Sequence, residues 1–209
     1  MRDSEVAYRH LRDLIVNLHL EPGSMVDEQS LAARIGLGRM PVREAIARLG
    51  SDQLVVIIPR RGAMISPIGL DTIRGIFDAR EVVESGIAYF AAQYATDAEL
   101  EQFSCLVHQA DRERDAYRPM QFLDSDQEVH RFLASIVHNS FLETAADRLL
   151  VHNLRFWRYY FTMYPPSSNT MITHQNLLEA LQRREPAQAR QAMLDHIHAG
   201  GALLHALFT

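Results

Sequence analysis

The stretch GLGRMPVREAIARLG, residues 36–50, leaves the chain little freedom. Val42, Ala45, Ile46 and Leu49 recur at helical spacing. Pro41 stands just ahead of them, and proline is tolerated only in the first turn, where N–H groups have no intrahelical partner. A helix must therefore begin near Met40, and it is expected to run to about Asp52. Gly36 suits the left-handed position that closes a preceding helix. That helix is expected over 28–35, capped by Asp27, with Leu31, Ala32 and Ile35 on one face. Further upstream, EPGS (21–24) reads as a turn. Residues 5–19 read as a first helix carrying Val6, Leu11, Leu14, Ile15 and Leu18. Downstream, LVVII and GAMIS read as two short strands around PRRG, with Gly62 permitting the tight turn. Three helices and a two-stranded ribbon make a winged helix-turn-helix outline, with the third helix as recognition helix and PRRG as wing tip.

Arg39 and Arg43 lie one turn apart at the head of that third helix, with Met40 and Pro41 between them. A helix entering a DNA groove N-terminus first presents such residues to phosphates or guanine edges, and its free N–H groups attract phosphate. The same arginines on a merely solvated face are the competing reading. Arg60 and Arg61, at the tip of an otherwise apolar hairpin, favour DNA. The charge distribution agrees with a local interface and not a basic coat. The chain carries a net charge of −5, yet residues 1–66 hold 9 arginines against 8 acidic residues, while 67–209 hold 12 against 18. One cysteine, Cys105, precludes an intrachain disulfide and suits a reducing compartment. The first residues lack the apolar core of a secretion signal, and LVVII is far too short to span a bilayer. A soluble, cytoplasmic protein with no membrane partner is expected.

The run from Leu20 to Ser66 resembles the DNA-binding domain of the GntR superfamily: the PG turn, the LA-R helix, PVREAIARL and the P-x-RGA wing occur in order. The resemblance implies operator contacts by Arg34, Arg39, Arg43 and the wing around Arg61 and Gly62. Gly38 and Met40 depart from the family pattern, which commonly has serine or threonine at the first and threonine at the second.

Residues 70–209 read as six helices joined by short links, an all-α antiparallel bundle. PPSSN (165–169) breaks the chain between the fourth and fifth helices, expected over 140–164 and 170–184. Pro186 opens the last helix. Within this region Asp126 and His130 are four apart, so they share a helix face. Such a spacing also arises in ordinary surface pairs. His174 and His196 lie among apolar residues at helical spacing, and a buried histidine without a partner costs ~1–3 kcal/mol. Three inward histidines and one aspartate satisfy one another through a divalent transition metal, Zn, Ni, Co, Fe or Mn, and suit Ca or Mg poorly. His198 should point away, and His108, His138, His152 and His205 are expected to be ordinary histidines.

This second region resembles the FCD type of effector domain found in the FadR subfamily. R-x-x-x-E at Arg80 and Glu84, D-x-x-x-H at 126–130, THQNLLEAL (173–181) and MLDHI (193–197) fall in its order. The resemblance implies metal ligation by Asp126, His130, His174 and His196, with Arg80 close to a small carboxylate effector. The expected organisation is a winged helix-turn-helix domain (1–66), a linker (67–69) and a helical metal- and effector-binding domain (70–209). The expected function is a ligand-responsive, dimeric DNA-binding regulator of the repressor type, acting on a palindromic operator, and not an enzyme. The alternatives are a metal-dependent enzyme acting on a small organic acid and a metal sensor.

Overall fold

A computed structural model describes residues 2–164, 166 and 171–206, with side chains through Leu203. Most of the PPSSN break lies outside the described residues. The chain divides into two compact units, Met1–Leu70 and Asp71–Thr209.

The first unit contains α1 (Asp3–Val16), β1 (Met25–Val26), α2 (Glu28–Ile35), α3 (Arg39–Ser51), β2 (Val55–Ile58) and β3 (Gly62–Ile65). Its core is the seam between α1 and α3: Ala7, Leu11 and Ile15 are buried with Val42, Ala45, Ile46 and Leu49. α1 stops at Val16, three residues short of the expected end at His19. Asn17 donates its side-chain amide to the Asp13 carbonyl, and Leu18 turns left-handed at φ 61°. Asp27 caps α2 by accepting from the Ser30 N–H, and Gly36 closes it at φ 69°. The sheet has three strands and not two, in the antiparallel order β1-β3-β2. β1 is only Met25 and Val26, paired with Met64 and Ala63, too short for a periodic signal. At the turn from β2 into β3, Arg60 and the first β3 residue, Gly62, both have positive φ, 64° and 101°. The second value lies where a side chain is strained, so Gly62 allows the wing to turn.

The second unit contains α4 (Leu70–Tyr94), α5 (Asp97–Asp115), α6 (Pro119–Ser135), α7 (Ser140–Met163), α8 (Gln175–Gln182) and α9 (Pro186–Ala206). Local chemistry marks several of their starts. Thr96 and Glu99 form a reciprocal capping box on α5, Pro119 opens α6, and the Asn139 side chain caps α7. α5 packs on α6, α6 on α7, and α8 on α9. Each pair is joined by a short link, so its helices run antiparallel. Gly200 in α9 allows close approach to α4: a Cβ there would stand 3.2 Å from the Phe77 ring.

Candidate nucleic-acid surface and metal centre

α3 buries its apolar stripe and exposes Arg39, Met40 and Arg43, with Pro41 half-buried in its first turn. Gly38 occupies the N-cap position and offers no side-chain cap. The first turn of α3 therefore keeps its N–H groups available, and glycine there costs the helix only a few tenths of a kcal/mol. Arg34 lies in the last turn of α2 and donates to the His19 carbonyl at 3.4 Å. Arg60, Arg61 and Gly62 are exposed on the wing. Arg43 has an additional partner that sequence spacing does not reveal. Its Nε donates to both Glu28 carboxylate oxygens at 3.1 Å, and its Nη2 donates to Oε2 at 2.9 Å.

In the second unit, Asp126, His130, His174 and His196 converge, with one ligand atom from each lying within 4.8 Å of all the others. α6 supplies Asp126 and His130, and α9 supplies His196. His174 is not inside a helix, as expected from its apolar neighbours, but is the residue immediately before α8. Buried Met171 and Leu177, on either side, hold that segment inward. Gln175 then donates its side-chain amide to Asp111 of α5 at 2.7 Å, tying down the start of α8.

The His130 Nε2 lies 3.2 Å from the His174 Nε2 and 3.3 Å from the His196 Nε2. Asp126 Oδ1 lies 3.5 Å from the His174 Nε2 and 3.8 Å from the His130 Nε2. Glu84 of α4 presses its Oε2 against the other nitrogen of His130, Nδ1. A carboxylate there holds the proton on Nδ1 and leaves a lone pair on Nε2, the arrangement that orients metal-binding histidines. Nitrogens bound about 2.0–2.1 Å from one ion stand roughly 3 Å apart, as these do. The donor set fits a transition-metal ion.

The electrostatics fit as well. Burial, followed by the charges of its neighbours, pushes the His174 imidazole well below its ordinary value, and burial chiefly pushes His196 down to about 3. Both are neutral near pH 7, the form that ligates. Burial pushes the Asp126 carboxyl up, against the pull of His130 and Arg80. Burial would also raise Glu84, but Arg80 and His130 outweigh it and hold the carboxylate ionised. Arg80 donates through Nε to Glu84 Oε1, and both side chains are buried. Both Glu84 oxygens are thus engaged, leaving it no role as a free general base.

Beside the ligands lies a cavity of about 40 Å³, room for a few waters at roughly 10–15 Å³ each. Arg80, Asp126, Asn153 and His196 supply its polar lining, with Trp157 and Phe161 among its apolar walls. Asn153 is buried, and its Oδ1 has no hydrogen-bond partner among the described residues. Sequence reasoning missed it, although a lone amide between Leu150 and Leu154 in an apolar stripe is a readable signal. His198 is exposed and pairs with Glu81 at 3.1 Å, away from the cluster.

Residues 3–65 match the family of bacterial regulatory proteins called gntR, and residues 75–199 match the FCD domain. The chain belongs to the GntR family. It is a GntR-type transcriptional regulator with a winged helix-turn-helix and an FCD domain, mainly α in class. The HTH-type transcriptional repressor RspR of Escherichia coli K12 is 27% identical over 192 residues, covering 91% of this chain and 83% of that one. The HTH-type transcriptional repressor NanR of Citrobacter rodentium is also 27% identical, covering 98% and 86%. The solved E. coli McbR/YncC shares the fold over the full length of both chains, with TM-score 0.86 and 18% identity. In line with its two matched domains and with RspR and NanR, this GntR protein is a transcriptional regulator and not an enzyme. Among its described residues no helix is long and apolar enough to cross a membrane.

Glu84→Gln tests whether Glu84 supports metal binding by this cluster. It keeps the shape but removes the charge that fixes His130. Loss of such a partner typically costs 10–100-fold in metal affinity. Titration of the metal-free protein with Zn is expected to show a drop in that range. An unchanged dissociation constant would remove Glu84 from the site.

Proposed function

We propose that this GntR regulator is a cytoplasmic, homodimeric repressor whose operator occupancy is set by a small carboxylate bound beside a divalent metal in its FCD domain. Residues 1–66 bind DNA, 67–69 link, and 70–209 sense. The observation that carries the reading is the convergence of Asp126, His130, His174 and His196 on one point, next to a cavity that Arg80 lines. These four residues would hold Zn, Ni, Co, Fe or Mn, and the ion would offer its remaining coordination positions to a carboxylate oxygen. Arg80 would pair with the anion. The orphaned Asn153 Oδ1 would accept from a hydroxyl or N–H of the same molecule. The repressor assignment draws support from the names of RspR and NanR.

On the DNA side, Arg34, Arg39, Met40, Pro41 and Arg43 would enter or flank the major groove, with Arg60, Arg61 and Gly62 at the wing. The two sites communicate only through a difference in effector affinity between DNA-bound and free arrangements of the dimer. Native mass spectrometry of the purified protein would report metal, retained acid and oligomer together. Operator binding would then be titrated with candidate carboxylates, with and without metal. Retained affinity at every acid tested, with the metal site full, would defeat the effector reading.

The dimer has its own test. One recognition helix reads few base pairs, so a two-fold assembly on a palindrome is expected. Sedimentation should give a dimer at micromolar concentration. A monomer that binds a single half-site with full affinity would contradict it.

A further inference from the structure

We infer that Glu28 is a positioning residue that makes Arg43 a reader of a guanine edge and not a phosphate contact. The inference rests on the proposed DNA-facing role of α3. Glu28 is the first residue of α2, and its carboxylate takes the whole side edge of the Arg43 guanidinium, Nε and Nη2 together. What remains is the end of the fork: Nη1 and the outward N–H of Nη2. Two parallel donors in that geometry match the O6 and N7 acceptors of guanine in the major groove.

Charge points the same way. The hydrogen bond from Arg43 is the main cause holding the Glu28 carboxyl below its ordinary value, so Glu28 is ionised and the pair is neutral. A neutral pair attracts phosphate weakly, yet its remaining donors keep their direction. Arg39, Arg60 and Arg61 carry no side-chain hydrogen bond among the described residues, so their donors stay open to the backbone, although Arg39 also attracts the Asp27 and Glu28 carboxylates. The Arg43 side chain is 60% exposed. Exposed ion pairs add little to stability, so the fold does not account for two-pronged restraint of a rotamer-rich side chain. Ordering it before DNA arrives does.

The proposal inverts what simple electrostatics expects. Glu28→Gln removes a negative charge from a DNA-facing surface, and on charge alone it should tighten binding to every DNA. If Glu28 aims Arg43, the variant binds unrelated DNA as well as or better than wild type, yet loses discrimination. The experiment selects bound sequences from random duplexes with the full-length protein, then measures affinities for the selected site and for unrelated DNA at several salt concentrations. Wild type is expected to enrich a guanine in each half-site. Glu28→Gln and Arg43→Lys should both relax that position and lower the specific-to-unrelated affinity ratio about fivefold or more, within the range of one bidentate base contact. The salt slope should be the same for Arg43→Ala as for wild type, because no phosphate contact is lost. Unchanged melting of Glu28→Gln confirms the fold. A retained guanine preference in Glu28→Gln overturns the proposal, as does a salt slope reduced by about 1 in Arg43→Ala. In either case a weakened Arg43→Ala still upholds the DNA-facing role of α3. Undiminished binding by Arg39→Ala/Arg43→Ala would sink both.

Discussion

His174→Ala should empty the metal centre at ion concentrations that fill the wild type, and should lower thermal stability and effector response with it. His174 supplies the nitrogen that stands 3.2 Å from His130 and faces Asp126. Its loss leaves three ligands, two of them on the single helix α6. An ion that binds only the folded form at a hundred times its dissociation constant stabilises by about 2.7 kcal/mol. For a domain of this size that corresponds to roughly 5–10 °C in melting temperature. Metal content by mass spectrometry and melting with and without Zn would be read together. The winged unit should keep its DNA-binding surface. His198→Ala is the control: that side chain is exposed and pairs with Glu81, so occupancy and melting should change little. Full occupancy in His174→Ala, or equal losses in both variants, would mean that the ligand set is wrong.

The second large effect is expected on DNA. Arg39→Ala/Arg43→Ala removes both cations from the head of α3 while leaving its buried stripe intact. Arg43→Ala alone should cost about 1–3 kcal/mol if the side chain reads a base. Part of that cost comes from Glu28, whose carboxylate is left unpaired at a surface that meets phosphate, because truncation energies include the groups left behind. The double variant should lose more, with circular dichroism and metal content unchanged. Unaltered affinity for the operator in a folded double variant would remove these residues from the interface.

The sequence made some features legible for identifiable physical reasons. Pro41, Gly36 and Asp27 each have one comfortable place relative to a helix, so the boundaries of α2 and α3 could be read within about a residue. Asp126 and His130 sit one turn apart on one helix, where periodicity alone puts them on a common face. What escaped depends on pairing between distant segments. β1 exists only because Met25 and Val26 meet β3 across the fold. Glu28 meets Arg43 across 15 residues, and Glu84 meets His130 from another helix. Nothing in local spacing marks either pair. His174 was misplaced for a different reason. Ile172, Leu177 and Leu178 mimic a helical period, although the helix starts at Gln175 and the apolar residues before it pack from an irregular segment.

The placement of the ligands along the chain has a consequence for assembly order. Two donors exist as soon as α6 coils, but the others lie 44 and 66 residues from His130. Neither can arrive until the intervening loops have closed, and loop closure is an entropic cost that helix formation alone does not offset. Ion capture at the proposed centre would therefore come after docking of α8 and α9. Saturation of the proposed centre would then report a finished bundle and not helix content, and with α9 unseated the protein would be blind to the proposed effector while its helices remained intact.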